Sequence, residues 1–319
     1  MAAYLNATAA SFDVVITWVD GADPLWRARR AAHCGEIAAG VTLATANVEG
    51  RFRDNGELHY LLCSLRRFCR DLRRVFLVTD GQRPSWLGDF PEVSVVDHSD
   101  FIPAELLPTF SSRAIEASLH LIPGLSEHFV AFNDDVFLMR EAGFADFFGV
   151  RGCVVHLTDE PLPLQGDVQS LSGHNDAFNA RQWMRRHYGR STVERVLAHA
   201  PRGVRRSWMN ELEAAHPAIF REVREEKFRR VSGQSILANL YGDWCLTLGR
   251  GEVRADECAY LMTDDFDTDA EQVGAFIEQQ VLGRKLSLCI NDQGDDREIS
   301  ATQRIMQRVM DQVFVRRVA

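Results

Sequence analysis

Apolar and polar positions along this chain alternate between two rhythms. Residues 13–19 form a short β-rich run closed by the turn pair Asp20-Gly21. Pro24 suits the first turn of a helix reaching to about residue 37. Residues 40–50 are small and polar and predict a loop. Beyond Asp54, a plausible cap, Leu58, Leu61, Leu62, Leu65 and Phe68 recur at helical spacing. Residues 74–79 predict a second strand, closed by Asp80-Gly81, and residues 93–96 a third. Residues 114–122 predict a helix ended by Pro123-Gly124, and residues 129–132 a fourth strand.

Strands alternating with helices imply an α/β, Rossmann-like fold: a mostly parallel sheet flanked by helices. In such sheets ligands bind beyond the carboxyl ends of the strands. Asp20, Asp80 and Asp134-Asp135 all follow predicted strands, so they are expected to converge. Residues 153–156 add a further strand. From Asn175 the rhythm is mostly helical, with helices expected over 176–187, 192–198, 206–215, 217–227, 234–248, 270–282 and 302–314. A short apolar strand, 286–290, ends in Asn291-Asp292. With no repeat or low-complexity linker, the expected organisation is one α/β core, 1–160 and 284–319. A helical insertion, 161–283, interrupts it.

Composition narrows the class. The chain has 319 residues, 46% hydrophobic and 25% charged, as in ordinary soluble globular proteins. A formal net charge of -9 argues against broad nucleic-acid binding, which needs a basic footprint. No apolar run approaches the roughly 20 residues of a membrane helix, and the N-terminus has no secretory pattern. The seven cysteines are odd in number and form no CxxC pair, so reduced thiols are expected. A cytoplasmic location follows, free or peripheral to a membrane.

The strongest chemical signal is the run Phe129-Val130-Ala131-Phe132-Asn133-Asp134-Asp135-Val136-Phe137-Leu138. Two adjacent carboxylates inside an apolar run are expensive to bury without compensation. A divalent cation held at a strand end would compensate them; a tight turn between two hairpin strands explains them equally well. Asp20-Gly21 reads first as a good turn, and second as a backbone that approaches a nucleotide. In Arg51-Phe52-Arg53-Asp54-Asn55-Gly56-Glu57 a capping-box-like start explains the acids but not Arg51 and Arg53, which would suit a diphosphate. His199 precedes Pro201 at a predicted helix end, as a surface cap or as a base for a hydroxyl. Arg229 sits in Phe228-Arg229-Arg230, which alone reads as a solvated helix end.

Six ordered blocks together resemble one family. They are Thr17-Trp18-Val19-Asp20-Gly21, Arg51-Phe52-Arg53-Asp54-Asn55-Gly56-Glu57-Leu58, Val78-Thr79-Asp80-Gly81-Gln82, Leu107-Pro108-Thr109-Phe110, Phe132-Asn133-Asp134-Asp135 and Cys289-Ile290-Asn291-Asp292. The chain resembles the Stealth sugar-phosphate transferases, which include bacterial capsular polysaccharide phosphotransferases and the catalytic subunit of the animal N-acetylglucosamine-1-phosphotransferase. The resemblance implies transfer of a sugar 1-phosphate, N-acetylglucosamine 1-phosphate first among candidates, from a UDP-sugar to a sugar or glycan hydroxyl. UMP would leave, with Mg²⁺ or Mn²⁺ as cofactor.

Carried over residue by residue, the resemblance implies His199, Arg229, Asp20 and Asp134 as catalytic. Trp18, Asp20, Gly21, Arg53, Asn55 and Asp80 would bind the nucleotide, and Asp135, Asp292 and Asn291 the metal. Three departures fall near the expected acceptor contacts. Arg202 stands where many relatives have a second His, Ser232-Gly233-Gln234 lacks an acid that relatives often carry there, and the chain ends at Ala319 without the usual Phe-Pro-x-Pro-Ser ending. The alternatives are a metal-dependent glycosyltransferase releasing UDP and an inactive sugar-nucleotide-binding protein.

Overall fold

The computed structural model describes residues 10–36, 48–162, 172–292, 294 and 300–315. The strands β1 (Phe12–Thr17), β2 (Leu72–Thr79), β3 (Val93–Asp97) and β4 (His128–Asn133) run parallel in the order β3-β2-β1-β4. The strand Arg202–Arg205 closes the β4 edge antiparallel. Helices α1 (Pro24–His33), α2 (Glu57–Phe68) and α3 (Ser112–Glu116) connect and cover these strands. This is the expected α/β, Rossmann-like arrangement.

Central β1 shows why. Phe12, Val14, Val15 and Ile16 are fully buried, as in a strand covered on both faces. Asp13 is buried among them because Arg73 pairs with it at 2.5 Å and the Ser126 N–H donates to it at 2.8 Å. Leu58, Leu61, Leu62 and Leu65 give α2 its buried face. Asp54 and Glu57 do not form the expected capping box. The helix starts at Glu57 after Gly56, whose φ of 90° is left-handed, while Asp54 accepts from the Gly56 N–H at 2.8 Å.

Register fixes the functional edge. Thr17 lies opposite Val78 on one side and Asn133 on the other. Trp18, Asp80 and Asp134-Asp135 therefore leave the sheet at the same carboxyl edge. After Asp135 the chain continues as β5 (Val136–Leu138), antiparallel to the strand Ser287–Asn291, with Cys289 opposite Val136. That pairing returns Asn291 and Asp292 to the same edge.

The segment 161–283 is less helical than expected. Besides its helices it contributes strands at Arg195–Leu197, Arg202–Arg205, Gly251–Ala255 and Cys258–Met262. The helix expected over 192–198 is instead a strand, with Leu197 opposite Leu157. The run is too short to nucleate a helix alone, and it hydrogen-bonds to the strand Gly152–Pro161, which carries Leu157. The helix expected over 114–122 divides into α3 and a 3₁₀ turn at Leu119–Leu121. Much of the predicted loop 40–50 and the last residues, 316–319, lie outside the described residues. Among the described residues no helix is long and apolar enough to cross a membrane.

The helices Arg206–Ala215 and Pro217–Arg224 brace α3 through one ionic cluster. Arg224 pairs with Glu213 at 2.5 Å and also donates to the Ala117 carbonyl and the Ser118 hydroxyl. His120 meets Glu213 at 2.7 Å. Burial works against the Glu213 charge, but the His120 and Arg224 bonds hold its pKa down to about 2, from an ordinary 4.5. A depressed carboxyl stabilises the fold above its unfolded pKa and loses that stabilisation as pH falls toward the folded value. Stability should therefore decline between pH 4.5 and about 2. Glu213→Gln should cost about 2–4 kcal/mol at pH 7 and flatten that decline. Urea titrations at several pH values test this; an unchanged acid slope in the variant would assign it to other carboxyls.

Candidate active site

The turn from β4 to β5 presents Asp134 and Asp135 side by side. Their neighbours treat them differently. Desolvation, and then the Asp135 charge, push the Asp134 pKa well above the ordinary carboxyl range. Burial also opposes Asp135, but His199, Cys289 and Arg51 outweigh it and hold its pKa below the ordinary value. Such opposite displacement of adjacent acids is characteristic of functional sites.

His199 arrives by strand geometry. The antiparallel pairing places Arg202 opposite Ala131, so residues preceding Arg202 run past the end of β4. His199 Nε2 lies 3.3 Å from Asp135 Oδ1. Both atoms are shut off from solvent, and neither has a hydrogen bond of good geometry. On the other carboxylate oxygen the Cys289 thiol donates at 3.4 Å. Among the described residues Asp135, His199 and Cys289 form a cluster with ligand atoms within 4.8 Å of one another.

These residues fit a divalent cation. Among the described residues Asp134 has no ion pair, its charge opposed by burial and by Asp135, and Asp135 Oδ1 and His199 Nε2 are left without hydrogen-bond partners. Burial, then the Asp135 charge, keep Cys289 a thiol, so the available donors are carboxylate and amide oxygens. That donor chemistry suits Mg²⁺ or Mn²⁺ rather than a thiolate-bound metal.

Asp292 stands apart from the cluster. Arg53 donates to its Oδ2 at 2.6 Å, Asn55 to the same oxygen at 3.2 Å, and the Gly294 N–H to Oδ1 at 2.9 Å. Gly50 is required beside it: a Cβ there would lie 2.5 Å from Asp292 Oδ1 and 2.8 Å from the Gly294 carbonyl. Beneath this group Glu57 accepts from the backbone and side chain of Asn55, yet burial pushes its pKa up to about 8.

Opposing the acids are guanidinium groups. Desolvation, then the charges of Arg51 and Arg113, lower the Arg229 pKa to about 10. Desolvation lowers Arg51 and Arg202 as well. Arg229 donates to the Ser112 hydroxyl at 2.5 Å, and Arg202 reaches Asn133 Oδ1 at 3.3 Å. Among the described residues no carboxylate forms an ion pair with Arg229 or Arg202. The backbone carrying Arg229 is pinned: the Phe110 N–H donates to the Lys227 carbonyl, the Thr109 hydroxyl to the Glu226 carbonyl, and Phe228 stacks on Phe110 at 5.3 Å. Arg113, paired with Asp176, donates to the Arg230 carbonyl at 2.7 Å. Cations held apart from acids in this way form a ready anion site.

The cavity between acids and cations is lined by Trp18, Arg53, Asp80, Asp134, Asp135, His199, Arg229, Asn291 and Asp292 among the residues anticipated from sequence. Asp20, Gly21 and Asn55 lie outside the lining. The Asp20 carboxylate accepts from the Ala22 N–H at 2.8 Å, closing its own turn, and Gly21 packs against Phe52. Asp80 pairs with Arg29 at 2.9 Å. Sequence reasoning missed Cys289 and Ser112, and it gave Glu57, which lines the cavity, only a capping role. Only the Cys289-Ile290-Asn291-Asp292 block hinted at the first of these.

Conserved regions 1 and 2 of Stealth proteins match residues 11–32 and 51–155. An exopolysaccharide phosphotransferase of Streptomyces coelicolor is 37% identical over 88% of this chain and 47% of its own length. The exopolysaccharide phosphotransferase CpsY of Mycobacterium leprae is 34% identical, over 94% and 55%. The capsular polysaccharide phosphotransferase LcbA of Neisseria meningitidis is 31% identical, over 88% and 77%. The chain spans about half the length of the first curated relatives it matches. Mouse xyloside xylosyltransferase 1 overlaps 88% of this chain and 97% of its own at 12% identity and a TM-score of 0.44.

Arg53 is the residue whose role the geometry divides. With Asp292 only 5% exposed, Arg53→Met should destabilise the fold by about 2–4 kcal/mol, because it strands a buried carboxylate. Asp292→Asn in the same background should recover part of the loss. A double-mutant cycle by chemical denaturation reads this directly. A variant of unchanged stability that only binds nucleotide more weakly would make Arg53 a phosphate ligand instead.

Proposed function

The chain belongs to the Stealth family, and we propose that it transfers a sugar 1-phosphate from a UDP-sugar to a hydroxyl of a sugar or glycan. N-acetylglucosamine 1-phosphate is the first candidate for the transferred group. The observation that carries the reading is the meeting of an acid pair, a histidine and desolvated arginines at one strand edge. Phosphoryl transfer needs positioning and charge neutralisation more than a covalent nucleophile.

The acceptor oxygen bonds to the phosphorus that carries the sugar. The bond from that phosphorus to the bridging oxygen breaks, and UMP departs. His199 takes the acceptor proton. Its Nε2 is enclosed against Asp135, which leaves Nδ1 as the receiving atom. The Asp135 carboxylate at 3.3 Å then stabilises the imidazolium that forms. Arg229 and Arg51 neutralise charge developing on the phosphoryl oxygens, and the Ser112 hydroxyl fixes Arg229. Asp134, Asp135 and Asn291 are the residues that would hold Mg²⁺ or Mn²⁺, with Asp292 behind them. The bound ion would supply positive charge to the donor diphosphate.

Incubation with UDP-N-acetylglucosamine, Mn²⁺ and a panel of sugar acceptors tests this, with mass detection of products. UMP and a phosphodiester-linked product are expected. Release of UDP with a glycosidic product would identify a glycosyltransferase, and tight binding without turnover a binding protein.

Activity should vanish on thorough chelation and return with Mg²⁺ or Mn²⁺. His199→Ala should lower turnover about 10²–10⁴-fold while leaving folding and donor binding intact. The acidic limb of the wild-type pH–rate profile should go with it. Arg229→Ala should impair turnover without removing that limb. Near-wild-type turnover in His199→Ala would move the base role to another group.

A further inference from the structure

Behind His199 lies a second chamber, about 290 Å³ against about 150 Å³ for the first. The two share Arg51, Ser112, Asn133, His199, Arg229 and Asn291. The groups assigned to proton removal and phosphoryl stabilisation therefore form a common wall. Each chamber has its own character beyond that wall. The first carries the cluster of Trp26, Phe52 and Phe110, suited to a nucleotide. The second is lined by Glu116 on α3, Thr158, Glu160 and Asn239, which bring carboxylate, hydroxyl and amide groups among apolar neighbours, with Asp176 held by Arg113.

An aromatic side chain lines this chamber. Tyr260, on the strand Cys258–Met262, keeps 48% of its surface exposed. Its ring centre lies 6.5 Å from that of His199, at 66°. The strand pairing that sets Tyr260 opposite Cys289 holds it beside Asp135. An exposed ring with hydroxyl-binding groups around it is the chemistry that takes a pyranose, whose C–H face lies on the ring while its hydroxyls meet carboxylates and amides.

We propose that the second chamber is the acceptor subsite, that it takes a hexopyranose, and that Tyr260 is the platform setting its hydroxyl toward His199. The inference rests on the sugar-phosphate transfer reading. Donor and acceptor then approach the common wall from opposite sides, as in-line displacement requires.

The test uses the intact protein, Tyr260→Ala and Tyr260→Trp, with methyl hexopyranosides as acceptor probes. Kinetics with UDP-N-acetylglucosamine should show the acceptor KM raised about tenfold or more in Tyr260→Ala relative to the donor KM. Tyr260→Trp should return it to within about threefold. An unchanged acceptor KM, or donor and acceptor KM rising together, would overturn the assignment. Saturation-transfer NMR of the same glycosides separates this inference from the transfer reading, since it needs no turnover. Signal in the wild type that is lost in Tyr260→Ala supports the subsite even where no UMP forms. Equal signal in both, or none from the wild type at any probe, refutes it.

Discussion

Groups of like charge, drawn together and desolvated at one edge of a parallel sheet, are the constraint on which this molecule turns. Asp134, Asp135 and Glu57 crowd on one side, and Arg51, Arg202 and Arg229 on the other. Burial raises Asp134 well above the usual carboxyl range and Glu57 to about 8, and it depresses Arg229 to about 10. A fold selected only for stability would disperse or pair these groups. Asp135 is met by His199 and Arg51, but Asp134 has no ion pair and neither Arg229 nor Arg202 forms one among the described residues, an arrangement that suits a ligand bringing a cation and an anion together.

The rest of the structure holds those charges in place. Parallel register brings three strand ends together. The antiparallel edge strand Arg202–Arg205 carries His199 past the end of β4 to Asp135. The hairpin-like return of Ser287–Asn291 along β5 sets Cys289 and Asn291 in the same place. On the cationic side, hydrogen bonds from Thr109, Phe110 and Arg113 fix the backbone around Arg229. Glu213 and Arg224 in turn brace α3, which supplies Ser112.

Part of this was legible in the sequence, for physical reasons. Residues such as Val14, Val15 and Ile16 define a strand buried on both faces, and acids directly after such strands mark the carboxyl edge. Asp134 and Asp135 therefore announced themselves locally. Asp20 looked the same locally but uses its carboxylate to close its own turn. Residues 192–198 illustrate the limit of periodicity: a short apolar run fits either rhythm, and its partner strand, over thirty residues away, decides. Contacts of longer range left no trace in any window. Arg53 meets Asp292 across 239 positions, and Cys289 meets Asp135 across 154. The capping explanation of Glu57 was adequate in sequence, whereas the fold turns that side chain back to Asn55 beneath the site. The positions of His199 and Arg229 were legible only through the resemblance of ordered blocks to Stealth proteins.

The central claim is that acids and guanidiniums await charges delivered together. Thermal denaturation with UDP, with Mn²⁺, and with both tests it most directly. A ligand that binds only the folded state raises the melting temperature, by an amount that grows with the logarithm of its concentration over Kd. UDP and Mn²⁺ together should raise it by clearly more than the sum of their separate shifts, and Asp135→Asn should abolish that excess. Additive shifts, or no shift from the pair, would contradict the account.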